Sequence, residues 1–155
     1  MKLVVKEIMI DAPVALVYEL LTDPVLLVRW LADEADIDPR PGGLVRWKHA
    51  NGDVCAGQVV EADPPRRLVF TYGWERAEIQ VLPGSTTVEI DLAVTPTGTR
   101  LRLVHHGLAG PMADAHGGGW THYLTRLATA ATGAHPGPDP FADQRVPTPA
   151  ELAGR

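Results

Sequence analysis

Hydrophobic positions change their period twice along this chain. Leu3–Ile10 is rich in β-branched and aliphatic residues, interrupted by Lys6 and Glu7, and predicts a strand. Asp11-Ala12-Pro13 then joins an N-cap residue to a proline suited to a first helical turn. Val14, Val17, Tyr18 and Leu21 follow at helical spacing, so a helix with one apolar stripe is expected. Thr22-Asp23-Pro24 ends it, because the residue before a proline is pushed out of the helical region. A second short helix is predicted over Pro24–Leu31, carrying Leu27, Trp30 and Leu31.

From Asp33 to His105 the period becomes two. Val45, Trp47 and His49 share one strand face after the turn Pro41-Gly42-Gly43, and Asn51-Gly52 is a strong hairpin signal before a strand at Val54–Ala62. Beyond Asp63-Pro64-Pro65-Arg66, the residues Leu68, Phe70, Tyr72 and Trp74 alternate with Arg67, Val69, Thr71 and Gly73. A strand is expected at Ala77–Leu82, ending at Pro83-Gly84. Val88, Ile90, Leu92 and Val94 then alternate cleanly with Thr87, Glu89, Asp91 and Ala93, and Leu101, Leu103 and His105 face away from Arg100 and Arg102. The helical period returns after Gly117-Gly118-Gly119, where Trp120, Tyr123, Leu124, Leu127 and Ala131 form a long stripe. Past Gly133 periodicity stops, and five of the 14 prolines fall within Pro136–Pro149.

This order predicts an α+β fold: a curved antiparallel sheet of about seven strands wrapped around a long C-terminal helix, with two short helices after the first strand. The domain is expected over 1–132, with 133–155 as a Pro/Gly-rich tail, disordered unless Phe141 and Val146 pin it to its own domain or to a second copy in a homodimer. Closing a curved sheet over one helix leaves an interior gap of the kind that holds ligands.

The same segments resemble the SRPBCC (START-like, helix-grip) superfamily. Within it they resemble the homologues of the activator of the ninety-kilodalton heat-shock chaperone's ATPase. The matching residues begin with Ile10-Asp11-Ala12-Pro13, Val17-Tyr18, Leu21-Thr22-Asp23-Pro24 and Trp30-Leu31. They continue through Arg40-Pro41-Gly42-Gly43, Trp47, Gly57-Gln58-Val59-Val60-Glu61 and Asp63-Pro64-Pro65-Arg66-Arg67-Leu68. Ser85-Thr86-Thr87-Val88, Gly98-Thr99-Arg100-Leu101, His105, Gly107-Leu108 and Gly119-Trp120 complete the set. The resemblance implies a helix-grip fold with a cavity. Its members include lipid carriers, hormone receptors, aromatase/cyclase subunits and co-chaperones, and fold does not decide among them.

Composition narrows the chemistry. With 14 Lys+Arg against 19 Asp+Glu the formal charge is −5. No basic stripe exists to neutralise phosphates, so no nucleic-acid partner is expected. No apolar run approaches spanning length and no export signal is visible, so no membrane insertion is expected. The single cysteine, Cys55, can make no internal disulfide, and a reducing cytoplasm is the expected location. No histidine pair has the i, i+4 spacing of a helical zinc site, so neither a metal nor a cofactor is expected. No Gly-x-Ser-x-Gly elbow occurs. The three-glycine run lacks the Lys-Ser/Thr of a phosphate loop and reads as a hinge before the last helix.

What remains is a set of rings. Trp30, Trp47, Phe70, Tyr72, Trp74, Leu103, His105, Trp120 and Tyr123 fall on inward faces and are the expected cavity lining, with no catalytic residue assigned. Any one of them, taken alone, reads sooner as packed core. As a set they suit a partly hollow interior, since large rings with polar edges can orient a ligand. The leading expectation is therefore non-enzymatic binding of a small hydrophobic or aromatic molecule. The alternatives are a cyclase/aromatase- or hydrolase-type enzyme using His105 with a tyrosine, and a co-chaperone-like regulator of a chaperone ATPase.

Overall fold

Seven strands form one antiparallel sheet in the computed structural model, which describes residues 1–154. The strands are β1 (Lys2–Ile10), β2 (Glu34–Ile37), β3 (Leu44–Lys48), β4 (Val54–Asp63), β5 (Arg67–Tyr72), β6 (Thr86–Thr95) and β7 (Gly98–Leu108). Their order is β1-β7-β6-β5-β4-β3-β2, so β2 to β7 form a meander and β1 closes against its last strand. Two short helices, α1 (Val14–Thr22) and α2 (Pro24–Leu27), follow β1, and the long helix α3 (Gly110–Ala131) follows β7. The sheet is the antiparallel meander that the alternation pattern predicts, in the helix-grip arrangement that the resemblance implies.

Strand parity decides the core. Ile90 pairs with Leu103 and Val88 with His105 across β6 and β7, and all four are buried beneath the sheet. Leu101, Leu103 and Leu127 are sealed from solvent, which joins the sheet and α3 into one apolar cluster. Arg100 and Arg102, on the opposite parity, are exposed.

Several elements differ from the sequence-based expectation. Ala77–Leu82 is not a strand: Ala77–Ile79 form one 3-10 turn and Gln80 takes a left-handed conformation at φ 60°. The reason is topological. β5 pairs directly with β6, Tyr72 opposite Thr86, so the segment between them is a connection with no free edge to join. Asp11 does not cap α1, whose N-cap is Pro13 without a side-chain bond. Asp23 does cap α2, accepting from the Val25 amide at 2.9 Å. α2 stops at Leu27 and continues only as turns to Leu31.

α3 begins at Gly110, with Pro111 in its first turn, and runs straight through Gly117-Gly118-Gly119. The glycines are therefore helix interior and not a hinge before it. Each weakens a helix by about 1 kcal/mol relative to alanine. Met112, Ala113 and His116 before them, and Trp120, Leu124 and Leu127 after them, bury a continuous stripe that holds the helix together.

Residues 133–154 are irregular apart from one turn of helix, α4 (Pro149–Ala153), and lie against the domain. Arg155, the last residue of the predicted tail, is outside the described residues. Within them no helix is long and apolar enough to cross a membrane.

Candidate functional site

The site is built around Cys55. This fully buried residue of β4 pairs with Trp47 in β3 and forms an isolated bridge to Trp74 beyond β5, so a small side chain separates two indoles on the same concave face. Gly73 lets the chain make this approach, because a Cβ there would lie 1.7 Å from the Leu82 carbonyl oxygen. Tyr72 and Trp120 complete the ring wall, one from β5 and one from α3.

Each of three buried indoles donates its N–H to an imidazole. Trp47 Nε1 reaches His49 Nε2, Trp74 Nε1 reaches His116 Nε2, and Trp120 Nε1 reaches His105 Nδ1, all at 3.0 Å. An imidazole that accepts at one nitrogen carries its proton on the other. His116 accordingly uses Nδ1 to donate to the Met112 carbonyl at 2.9 Å. His105 uses Nε2 to donate to Thr86 Oγ1 at 2.9 Å, and Thr86 in turn donates to the Tyr72 carbonyl.

All three imidazoles are neutral. Burial depresses His49 to about 4, despite opposing pulls from Asp139, Asp53 and Asp33. Burial, with smaller contributions from His116 and His106, depresses His105 to about 3. Burial brings His116 to about 4 against the raising effect of its Met112 bond. Cys55 is also inert, since burial pushes its thiol well above the ordinary range.

A cavity of about 400 Å³ opens between this wall and α3. Of the residues expected at the lining, Trp47, Tyr72, Trp74, Trp120 and Tyr123 border it. The other four sit behind the wall. Trp30 donates to the Leu20 carbonyl at 2.9 Å in the core beside α1. Phe70 packs edge-on against Trp47, with ring centroids 5.9 Å apart. Leu103 is core, and His105 is sealed beneath Tyr72 and Trp120 with both nitrogens engaged.

The remaining wall comes from residues that strand parity could not indicate. Phe141, Gln144, Arg145, Val146 and Pro147 border the cavity from the far side. Two aspartates hold that segment. Asp139 accepts from Tyr123 Oη at 2.6 Å and from His122 Nε2 at 2.8 Å. Burial alone would raise its pKa, but the bonds from Tyr123, the Phe141 amide and His122 hold it below the ordinary carboxylate value. Asp53, whose side chain is fully buried, accepts from Arg76 Nε at 2.8 Å, the Val146 amide at 2.8 Å and Arg145 at 3.3 Å. Its pKa also lies low, because these partners outweigh the cost of burial. Asn51 Nδ2 donates to the Gln144 carbonyl at 2.7 Å.

Gly118 and Gly119 of α3 form part of the rim, and a Cβ built on either meets no atom within 4 Å. Among the described residues no three His, Cys, Asp or Glu side chains gather as a metal site.

The sequence profile of the family described as "Activator of Hsp90 ATPase homolog 1-like protein" matches residues 11–132. The chain belongs to that family. This AHSA1-like chain is 41% identical to the AHSA1-like protein of Rhizobium etli, whose solution structure matches with a TM-score of 0.70 over 94% of this chain and 91% of that one. A crystal structure from Mesorhizobium loti is 25% identical, with a TM-score of 0.76 over 85% of this chain and 98% of the other. The Aha1 dimer of Colwellia psychrerythraea shares the fold at 18% identity, with a TM-score of 0.73 over 84% of this chain and 96% of that one. No curated protein matches. The family match stops at Thr132, so the segment that forms the far cavity wall lies outside it, whereas the Rhizobium protein aligns over nearly the whole chain.

Proposed function

We propose that this AHSA1-like domain binds a small, largely apolar, ring-containing molecule in the cavity between its sheet and α3 and does not transform it. One observation carries the reading: the cavity is walled by Trp47, Tyr72, Trp74 and Trp120, and the imidazoles beside those rings are consumed as acceptors for indole N–H groups. A general base needs a free lone pair within reach of the substrate proton. His105, the histidine an acid–base mechanism would use, is buried with both nitrogens engaged. The volume of about 400 Å³ lies within the range of small-molecule sites.

Native mass spectrometry of gently purified protein, paired with titration of naphthalene-type probes by tryptophan fluorescence, tests this reading. A co-purifying mass or saturable quenching supports it. Absence of both, up to the solubility limit of the probes, removes it.

A further inference from the structure

A cavity walled by rings selects by shape alone unless a polar atom is left over to orient the guest. Around this cavity the polar atoms of the walls are nearly all used. The N–H groups of Trp47, Trp74 and Trp120 go to imidazoles, the Tyr123 hydroxyl goes to Asp139, and the Asn51 amide goes to the Gln144 carbonyl. Arg145 at the rim places one nitrogen 3.3 Å from Asp53 and is otherwise exposed.

Among the tryptophans and tyrosines of the wall, Tyr72 is the exception; His49 Nδ1 also lacks a partner but is sealed from solvent. Its side chain is only 4% exposed, and its hydroxyl has no hydrogen-bond acceptor among the described residues. The Trp74 N–H nearby can only donate, and it is already bonded to His116, so it offers the phenolic proton nothing. Unpartnered polar side-chain atoms sealed from solvent occur at Tyr18, His49, Thr95 and His106. Tyr72 Oη is not among them, so its small accessible surface belongs to the cavity that its ring lines. Burial holds the phenol well above its ordinary pKa, and the hydroxyl therefore keeps its proton and acts as a donor.

We propose that Tyr72 is the specificity-determining donor of the cavity, and that its ligand is an uncharged ring system bearing a carbonyl oxygen that accepts from Tyr72 Oη. This rests on reading the cavity as a ligand site. An uncharged guest fits the walls: the imidazoles beside them are neutral, and the one cation bordering the cavity, Arg145, sits at its exposed rim with one nitrogen 3.3 Å from Asp53. Leaving a buried hydroxyl without an acceptor disfavours guests that are pure hydrocarbon, which turns the orphaned donor into a filter.

The test compares two probes of similar shape, 2-acetylnaphthalene and 2-isopropylnaphthalene, on the full-length wild type and on Tyr72→Phe. A neutral hydrogen bond predicts that the ketone-over-hydrocarbon affinity ratio falls about fivefold in the variant. An unchanged ratio overturns the inference while leaving the ligand-holding reading intact. If neither probe binds the wild type, the reading and the inference fall together. Should Tyr72→Phe fail to fold, the infrared carbonyl stretch of ¹³C-labelled 2-acetylnaphthalene bound to wild type decides. A shift to lower frequency than in hexane supports donation, and a hexane-like frequency overturns it.

Discussion

Acidification attacks this fold through its tryptophans. Each Trp–His pair needs an imidazole lone pair, and a protonated imidazole has two N–H donors and none to offer. His49, His105 and His116 titrate at about 4, 3 and 4 in the folded protein, against about 6.5 in an unfolded chain. The unfolded state therefore binds more protons through this interval, and stability falls as pH falls. The contribution is fully present above about pH 6.5 and is lost progressively down to the folded values. Between pH 7 and pH 5 each histidine costs about 2 kcal/mol, and the three together cost about 6 kcal/mol. That is a large share of the 5–15 kcal/mol by which a domain is typically stable. Asp53 and Asp139, held below the ordinary carboxylate value, add losses only at lower pH. Urea titrations followed by tryptophan fluorescence between pH 8 and pH 4.5 measure the effect. The free energy should decline with a slope approaching uptake of three protons near pH 5. A flat profile, or resonances of His49, His105 or His116 that titrate near 6.5 in the folded protein, would refute the pairing.

The two aspartate anchors make separable predictions. Asp53→Ala leaves Arg76, whose side chain is 17% exposed, without its carboxylate and should cost about 3–5 kcal/mol, read as a lowered denaturation midpoint. Deleting Pro136–Arg155 removes one wall of the cavity but little of the core. A naphthalene probe should then dissociate at least about tenfold faster while the meander and α3 stay folded by circular dichroism. Equal dissociation rates for the shortened and full chains would show that the segment does not retain the guest.

The alternation of Val88, Ile90 and Leu92 against Thr87, Glu89 and Asp91 reports β6 directly, because a sheet buried on one face writes its orientation into every second residue, whereas Val94, on the same parity, is exposed near the strand's end. The stripe from Trp120 to Leu127 does the same for the second half of α3. The first half is hidden by three glycines, whose low propensity is overridden by tertiary packing that no local window contains. Ile79 and Val81 have strand parity and are buried, yet belong to a connection, since parity reports burial and not pairing. The same gap separates inward-facing from cavity-lining: Phe70, Leu103 and His105 face inward, but rings in front of them form the surface. The Trp74–His116 and Trp120–His105 bonds join residues 42 and 15 positions apart on different elements, beyond the reach of spacing rules. The final segment is ordered by Asp53 and Asp139, two acidic residues indistinguishable in sequence from solvated ones.

Gly118 and Gly119 have a consequence for how such a protein can diversify. Around most glycines in a folded domain the backbone crowds in, and a new side chain must displace something. Here both positions face open space at the rim, on a helix that gains stability from almost any replacement. Side chains can therefore be added at the cavity mouth one atom at a time without a stability penalty to compensate first. The rim is then the cheapest place for selection to trade a wide-mouthed binder for a narrow one, while the tryptophan–histidine wall behind it stays unaltered. Retaining hydrogen at both positions gives up helix stability, and what it preserves is width.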